Sequence, residues 1–163
     1  MNDYSETIRK LVEYEIWCNL QAIDFLTGLS EDESRHDFGF GLRTPHRTMS
    51  HIVEVMRGWS GCVGPIIKRP TWFPHNETIT LQQIRRKIVE AGESWMLAVK
   101  LSEEEGLLGQ DQRLNQVFHL VTHGTHHRGQ LLSMITLMGY DQPFEGGDFG
   151  GWSNNSSHRG VQR

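Results

Sequence analysis

The chain has 163 residues and a mass of 18.8 kDa, a size typical of one domain with a buried core. Sixteen basic and twenty acidic residues give a net charge of −4 without a basic stripe, so nucleic-acid binding has no electrostatic support. The apolar runs are far shorter than the ~20 residues that a membrane span requires. The start of the chain lacks the apolar core of a secretion signal, and Cys18 and Cys62 are too few for a disulfide framework. We therefore expect a cytoplasmic protein without a membrane segment.

The first half of the chain predicts two long helices, because apolar residues recur at three- and four-residue spacing. The first helix is expected from about Asp3 to Leu29, and the polar stretch 30–43 then breaks the pattern. The second helix begins at Thr44-Pro45, a capping hydroxyl followed by a proline at the first helical position, and continues to about Val63.

The second half predicts two more long helices after a loop that contains Pro65, Pro70 and Pro74. The third helix begins at the Thr80/Gln83 capping box and ends near Leu101, and the fourth is expected at 112–138. We therefore predict an all-α four-helix bundle at residues 1–143. The Gly-, Ser- and Asn-rich residues 144–163 are expected to form an extended or poorly ordered tail.

Histidine is the most unusual component of the sequence, with nine residues where roughly 2%, or three to four, would be usual. His123 and His127 lie four residues apart, so they project from one face of the fourth helix and can bind one ion. Apolar residues continue this face, which places the pair towards the bundle interior. A shared metal would satisfy two imidazoles that are costly to bury unpaired. The alternative is one hydrogen-bonded core histidine and one histidine at a rim.

A third ligand is expected from another helix, and His51 is the candidate because it lies mid-helix among apolar neighbours. His119 is an alternative ligand, or a residue that bonds to a ligand. His126 is rotated away from the His123/His127 face and suggests a rim or interface role. The other histidines are expected to be solvated: His36, His46, His75 and His158.

Two familiar metal sites are excluded. A zincin requires Glu directly after the first histidine, but Gly124 follows His123. A ferritin-like di-iron bundle requires carboxylates from all four helices, and residues 112–138 contain no Asp or Glu. Three neutral imidazoles suit Zn, Ni, Fe or Co and leave a position open, as in a catalytic site.

Three motifs resemble a known family. Residues 123–130 read HGTHHRGQ and resemble the HxxxHRGQ signature of the DinB (damage-inducible) proteins. Residues 14–19, YEIWCN, are similar to that family's YxxWxN, and His51 lies where the family places its first ligand histidine. The resemblance covers about Tyr4 to Pro143. It implies a DinB/YfiT-like four-helix bundle, often a homodimer, that binds a divalent metal through His51, His123 and His127.

The resemblance implies a range of activities, because some relatives are metal-dependent hydrolases and others use thiols such as bacillithiol, mycothiol or glutathione. The sequence offers no convincing nucleophile or strong general base beside the three histidines, and thiol activation requires neither. Thiol transfer with Zn, Ni or Fe is therefore favoured over metal-dependent hydrolysis. The remaining alternative is a non-catalytic, stress-induced metal-binding protein.

Other residues receive weaker assignments. Gln130 is expected either to bond a ligand or metal-bound water or to lie at a helix–helix seam. Arg128 is assigned to a subunit contact and Gly129 to close helix approach. Glu54 is a candidate general base or ligand support, although a solvated helix face is favoured for it. Three residues are expected to pack and hydrogen-bond between the first and fourth helices: Tyr14, Trp17 and Asn19.

Overall fold

The computed structural model describes residues 3–64, 79–141 and 149–154. Within these ranges the secondary structure is entirely helical, which confirms the predicted all-α fold. None of the described helices combines the length and the apolar composition that crossing a membrane requires. The helices are α1 (Asp3–Leu26), α2 (Glu31–Arg35), α3 (Pro45–Val63), α4 (Leu81–Glu104), α5 (Asp111–Leu137) and α6 (Phe149–Asn154). The predicted proline-containing loop, His75 and His158 lie outside the described residues.

Side-chain caps start the helices where the sequence predicts them. The Thr44 hydroxyl accepts a hydrogen bond from the Arg47 amide at 3.1 Å at the start of α3. Thr80 and Gln83 form both halves of the capping box of α4. The short helix α2 was not predicted, although Ser30 and Glu33 carry the same capping-box pattern.

The four long helices form a bundle in which α1 and α3 lie diagonally opposite each other. Each of these two helices packs mainly against α4 and α5. The end of α3 is fastened to both neighbours, because Ser102 of α4 and Arg113 of α5 donate hydrogen bonds to the Val63 carbonyl oxygen. Helix α5 therefore has two inward faces, one towards α1 and one towards α3.

The face of α5 towards α1 contains a buried ion pair. Arg128 donates one hydrogen bond to Glu15 Oε1 and another to Asn19 Oδ1, both at 2.7 Å. The Asn19 amide also donates to Glu15 Oε1 at 2.9 Å. All three side chains are buried. Asn19 links the two helices as predicted, whereas the subunit contact expected for Arg128 is wrong because α1 already encloses its guanidinium.

Gly124 is the glycine that allows this close approach. A Cβ atom at Gly124 would lie 1.8 Å from Glu15 Oε1 and 2.6 Å from its carboxyl carbon. The prediction that Gly129 has this role is wrong, because Gly129 is exposed and no neighbour among the described residues lies within 4 Å of its Cβ position. Any side chain at position 124 would displace the Glu15 carboxylate from Arg128.

The predicted tail contains the short helix α6, which covers part of α1. Two rings of α6 contact the Tyr14 ring of α1. Measured between centroids, the buried Trp152 ring lies 5.8 Å and the Phe149 ring 5.5 Å from the Tyr14 ring. The Gly- and Ser-rich composition did not indicate this helix, because burial of Trp152 and packing of the partly buried Phe149, rather than local helix propensity, stabilise it.

We predict that Arg128→Met lowers the free energy of unfolding by about 3–5 kcal/mol, because Glu15 is left as an unpaired buried charge. Urea unfolding followed by circular dichroism measures this change. The control is Arg86→Met on the exposed face of α4, which should change stability by less than about 0.5 kcal/mol. Equal losses in the two variants would contradict the assigned role of the ion pair.

Candidate metal centre

The structure brings His51 of α3 together with His123 and His127 of α5. One ring nitrogen from each residue lies within 4.8 Å of the others, so the group could hold one metal ion. The centroids of the three rings are 4.5 to 5.0 Å apart. Within the described part of the chain, no cysteine or carboxylate belongs to this group. The three nitrogens converge because α3 and α5 are neighbours and His123 and His127 are one helical turn apart.

The spacing of the imidazoles fits a divalent ion. The Nε2 atoms of His51 and His123 face each other at 3.1 Å. Two nitrogen ligands of a tetrahedral ion are about 3.4 Å apart when each metal–nitrogen bond is ~2.1 Å. His123 Nδ1 is buried and has no hydrogen-bond partner among the described residues. The donor set is therefore chemically and geometrically suited to a metal that accepts neutral imidazoles.

Burial keeps the His123 and His127 rings neutral. Burial, together with repulsion from the neighbouring imidazoles of His127 and His51, lowers the pKa of His123 to about 3. Burial also lowers the pKa of His127, although its hydrogen bond to Gln130 opposes that change. Both rings are therefore unprotonated at neutral pH and keep a lone pair for a cation.

Gln130 contacts two histidines. Its Oε1 atom lies 3.0 Å from His127 Nδ1, and its amide nitrogen lies 3.1 Å from Nε2 of the exposed His126. An amide oxygen can only accept, so His127 Nδ1 carries the hydrogen and Nε2 carries the lone pair. Gln130 thus lies behind His127, on the side of the ring away from its free nitrogen.

Glu54 is buried beside His51, so the solvated helix face favoured for it is wrong. Its residue exposure is 4%, and its Oε2 atom lies 3.9 Å from His51 Nδ1. The helical spacing of three residues places it there. The His51 ring separates this carboxylate from the Nε2 atom that faces His123.

An aromatic pair, the exposed His119 and the partly buried Trp59, borders the group on the N-terminal side of α5. The His119 ring lies 5.4 Å from the His123 ring and 5.3 Å from the Trp59 ring, measured between centroids. His119 is thus beside the three-nitrogen group rather than part of it. Trp59 was not among the candidate site residues, although its spacing of eight residues from His51 puts both on one side of α3.

The remaining described histidines divide between core and surface. His36 is exposed, as predicted. The prediction that His46 is solvated is wrong, because it is buried and its Nε2 atom lies 2.6 Å from the Ile79 carbonyl oxygen. Burial lowers the pKa of His46. This ring joins the start of α3 to the residue before the α4 cap and is a packing element.

Comparison with protein families gives a match to a model described as the DinB family over residues 1–148. A search of curated proteins found no match, and a search of solved structures found none. The family match covers most of the chain and includes all three motifs that suggested it. The chain belongs to the DinB family.

Proposed function

We propose that this DinB-family protein is an enzyme that binds one divalent ion through His51, His123 and His127 and activates a low-molecular-weight thiol for transfer. The observation that carries the proposal is the convergence of three imidazoles from two helices. Zn, Ni and Fe accept such ligands. A bound ion of this kind supplies Lewis acidity, which stabilises a thiolate relative to the thiol.

Access to the histidine group supports a catalytic rather than a structural site. His51 keeps 24% side-chain exposure, and the exposed ring of His119 lies beside His123. Three protein ligands leave a position for a small molecule, whereas structural zinc sites have four. The chain's own part is to orient the three imidazoles, and among the described residues His51 and His119 leave one side of the group accessible to solvent.

The position of Glu54 favours thiol transfer over hydrolysis. A hydrolase needs a base that reaches a water molecule on the free-nitrogen side of the imidazoles. Glu54 lies on the Nδ1 side of His51, 3.9 Å from that nitrogen, so its carboxylate is on the wrong side of the ring to act as this base. A thiol that ionises needs no such base.

A reducing compartment is consistent with the two cysteines. Cys18 and Cys62 are both free and buried. We propose a cytoplasmic location, where disulfides are rare and low-molecular-weight thiols remain reduced.

Removal of any one of the three histidines should abolish tight metal binding. We expect untagged protein to contain about one Zn, Ni or Fe per chain, and His51→Ala, His123→Ala and His127→Ala to lose it, because two ligands hold an ion far less tightly than three. Elemental analysis after dialysis measures the content. His36→Ala is the matched control and should retain the metal. Full retention in His127→Ala would refute the three-histidine site.

Thiol binding is tested with the Co²⁺-loaded protein, because a thiolate bound to cobalt gives a sulfur-to-metal charge-transfer absorption. We expect glutathione to produce this band and its serine analogue, which lacks the sulfur, to produce none. His51→Ala should show no band with either compound.

A transfer assay with an aryl chloride and the same thiol then measures catalysis. Ester or amide hydrolysis that depends on His51, without a thiolate band, would instead establish the hydrolase. Metal binding with neither activity would establish a non-catalytic metal-binding protein.

We further propose that the protein is a homodimer joined along α5. One stripe on this helix, named here the α5 stripe, consists of six exposed residues: Phe118, Thr122, His126, Gly129, Ser133 and Leu137. The stripe contains no Asp, Glu, Lys or Arg. Its ends are apolar, because Phe118 is 55% and Leu137 68% exposed. When two copies of the stripe lie side by side and antiparallel, Phe118 of one copy faces Leu137 of the other, Thr122 faces Ser133 and His126 faces Gly129. Such self-complementarity is what a two-fold interface requires.

The variant Gly129→Glu should convert the dimer into a monomer, because it places two like charges close to the two-fold axis. Glutamate is a better helix former than glycine, so α5 itself should persist. Light scattering after size-exclusion chromatography measures the mass. Val89→Glu, an exposed position on α4, is the control and should remain dimeric. A monomeric wild-type protein or a dimeric Gly129→Glu variant would disprove this interface.

A further inference from the structure

The loop between α2 and α3 has an unusual backbone conformation. Gly39, Gly41 and Arg43 all have positive φ angles, of 75°, 55° and 75°. Asp37 closes this loop: its carboxylate accepts hydrogen bonds from the Gly39 amide at 2.8 Å and from Arg43 Nε at 2.9 Å. The Phe38 amide also donates to the Arg43 carbonyl oxygen at 2.8 Å. Residues 37–43, named here the Asp37 loop, are therefore held in this conformation by hydrogen bonds within the loop itself.

The Asp37 loop packs against the Gln130 side chain. A Cβ atom at Gly41 would lie 2.8 Å from Gln130 Oε1 and 3.0 Å from its amide carbon. The same Oε1 atom accepts the His127 Nδ1 hydrogen at 3.0 Å, and the amide nitrogen contacts His126 Nε2 at 3.1 Å. The Gln130 amide is thus enclosed by the loop backbone on one side and by two imidazoles on the others.

This contact determines which nitrogen of His127 is free. A histidine in solution exchanges between two neutral forms, and a fixed acceptor at Nδ1 selects the form with the hydrogen on Nδ1. Only that form presents the Nε2 lone pair to a cation. An amide that rotated or withdrew would remove the selection without removing the ligand itself.

We infer that Gln130 is a positioning residue that fixes the His127 tautomer, and that the Asp37 loop holds Gln130 in place through Gly41. The metal-binding consequence rests on the function proposed above. The tautomer does not, because it is a property of the protein without metal. The loop therefore forms part of the candidate metal centre although it provides no ligand.

The tautomer is measured in metal-free protein by long-range ¹H–¹⁵N correlation of the histidine rings, with His127→Ala used to assign the signals. We expect the Nδ1–H form of His127 in the wild-type protein. Gln130→Met keeps the side-chain length and removes the acceptor, so we expect a shift to the Nε2–H form or a mixture. An Nε2–H ring in the wild-type protein, or no change in Gln130→Met, would overturn the inference for Gln130.

Metal affinity is measured by titration with Co²⁺ alone. We expect Gln130→Met to lose about 10–100-fold in affinity, the usual effect of removing a group that orients a ligand. Gln130→Glu keeps an acceptor and should recover affinity to within a few-fold of the wild-type value. Equal losses in the two variants would show that Gln130 acts only through packing, against the inference.

The loop is tested by two glycines with similar backbone angles. Gly41→Ala and Gly39→Ala both place a side chain at positive φ, but within the described part of the chain no neighbour lies within 4 Å of the Gly39 Cβ position. We expect Gly41→Ala to change the His127 tautomer and weaken Co²⁺ binding, and Gly39→Ala to change neither. Equal effects would attribute the change to loop strain and overturn the role of the Gly41 contact. Failure of the wild-type protein to bind Co²⁺ would refute the proposed function, whereas the tautomer measurement would still decide the role of Gln130.

Discussion

The buried ion pair between Glu15 and Arg128 is the constraint on which the histidine group depends. Removing two charges from water is costly, so such a pair contributes more to a defined arrangement than to net stability. In this protein the ion pair fixes the orientation of α5 about its own axis, because Arg128 must face α1 and Gly124 must lie next to the Glu15 carboxylate. Successive helical residues are 100° apart. Once Arg128 points to α1, His127 and His123 point towards α3 and His51.

The segment 123–130 therefore divides its residues among three directions. Gly124 and Arg128 face α1. His123 and His127 face His51 on α3. The exposed His126 and Gly129 belong to the α5 stripe. A helix that needs all three directions has few positions free for substitution. This explains why a short motif identifies the family better than the apolar pattern of the whole chain does, because the apolar pattern specifies only that some helix packs there.

Helical periodicity made the bundle, its caps and the convergence of His51, His123 and His127 predictable, because each follows from spacing within one helix or from packing of neighbouring apolar faces. Partners distant in sequence were not predictable. Arg128 pairs with Glu15 across 113 residues, and no local pattern distinguishes a buried arginine from one at a subunit contact. The same limit applies to Glu54 and His46, whose polar side chains usually indicate exposure. Choosing Gly124 over Gly129 required the position of α1.

The three imidazoles differ in what supports them, and this difference indicates how the group would adapt to an ion. His51 has Glu54 on its Nδ1 side and His127 has Gln130, whereas His123 Nδ1 has no partner among the described residues. A ring held by a polar partner keeps its direction, while a ring held by packing can tilt at little cost. His127 is therefore the ring whose direction a hydrogen bond fixes. His123 is held by packing and by the contact of its Nε2 atom with that of His51, so it is the ring that would tilt most readily to meet an ion.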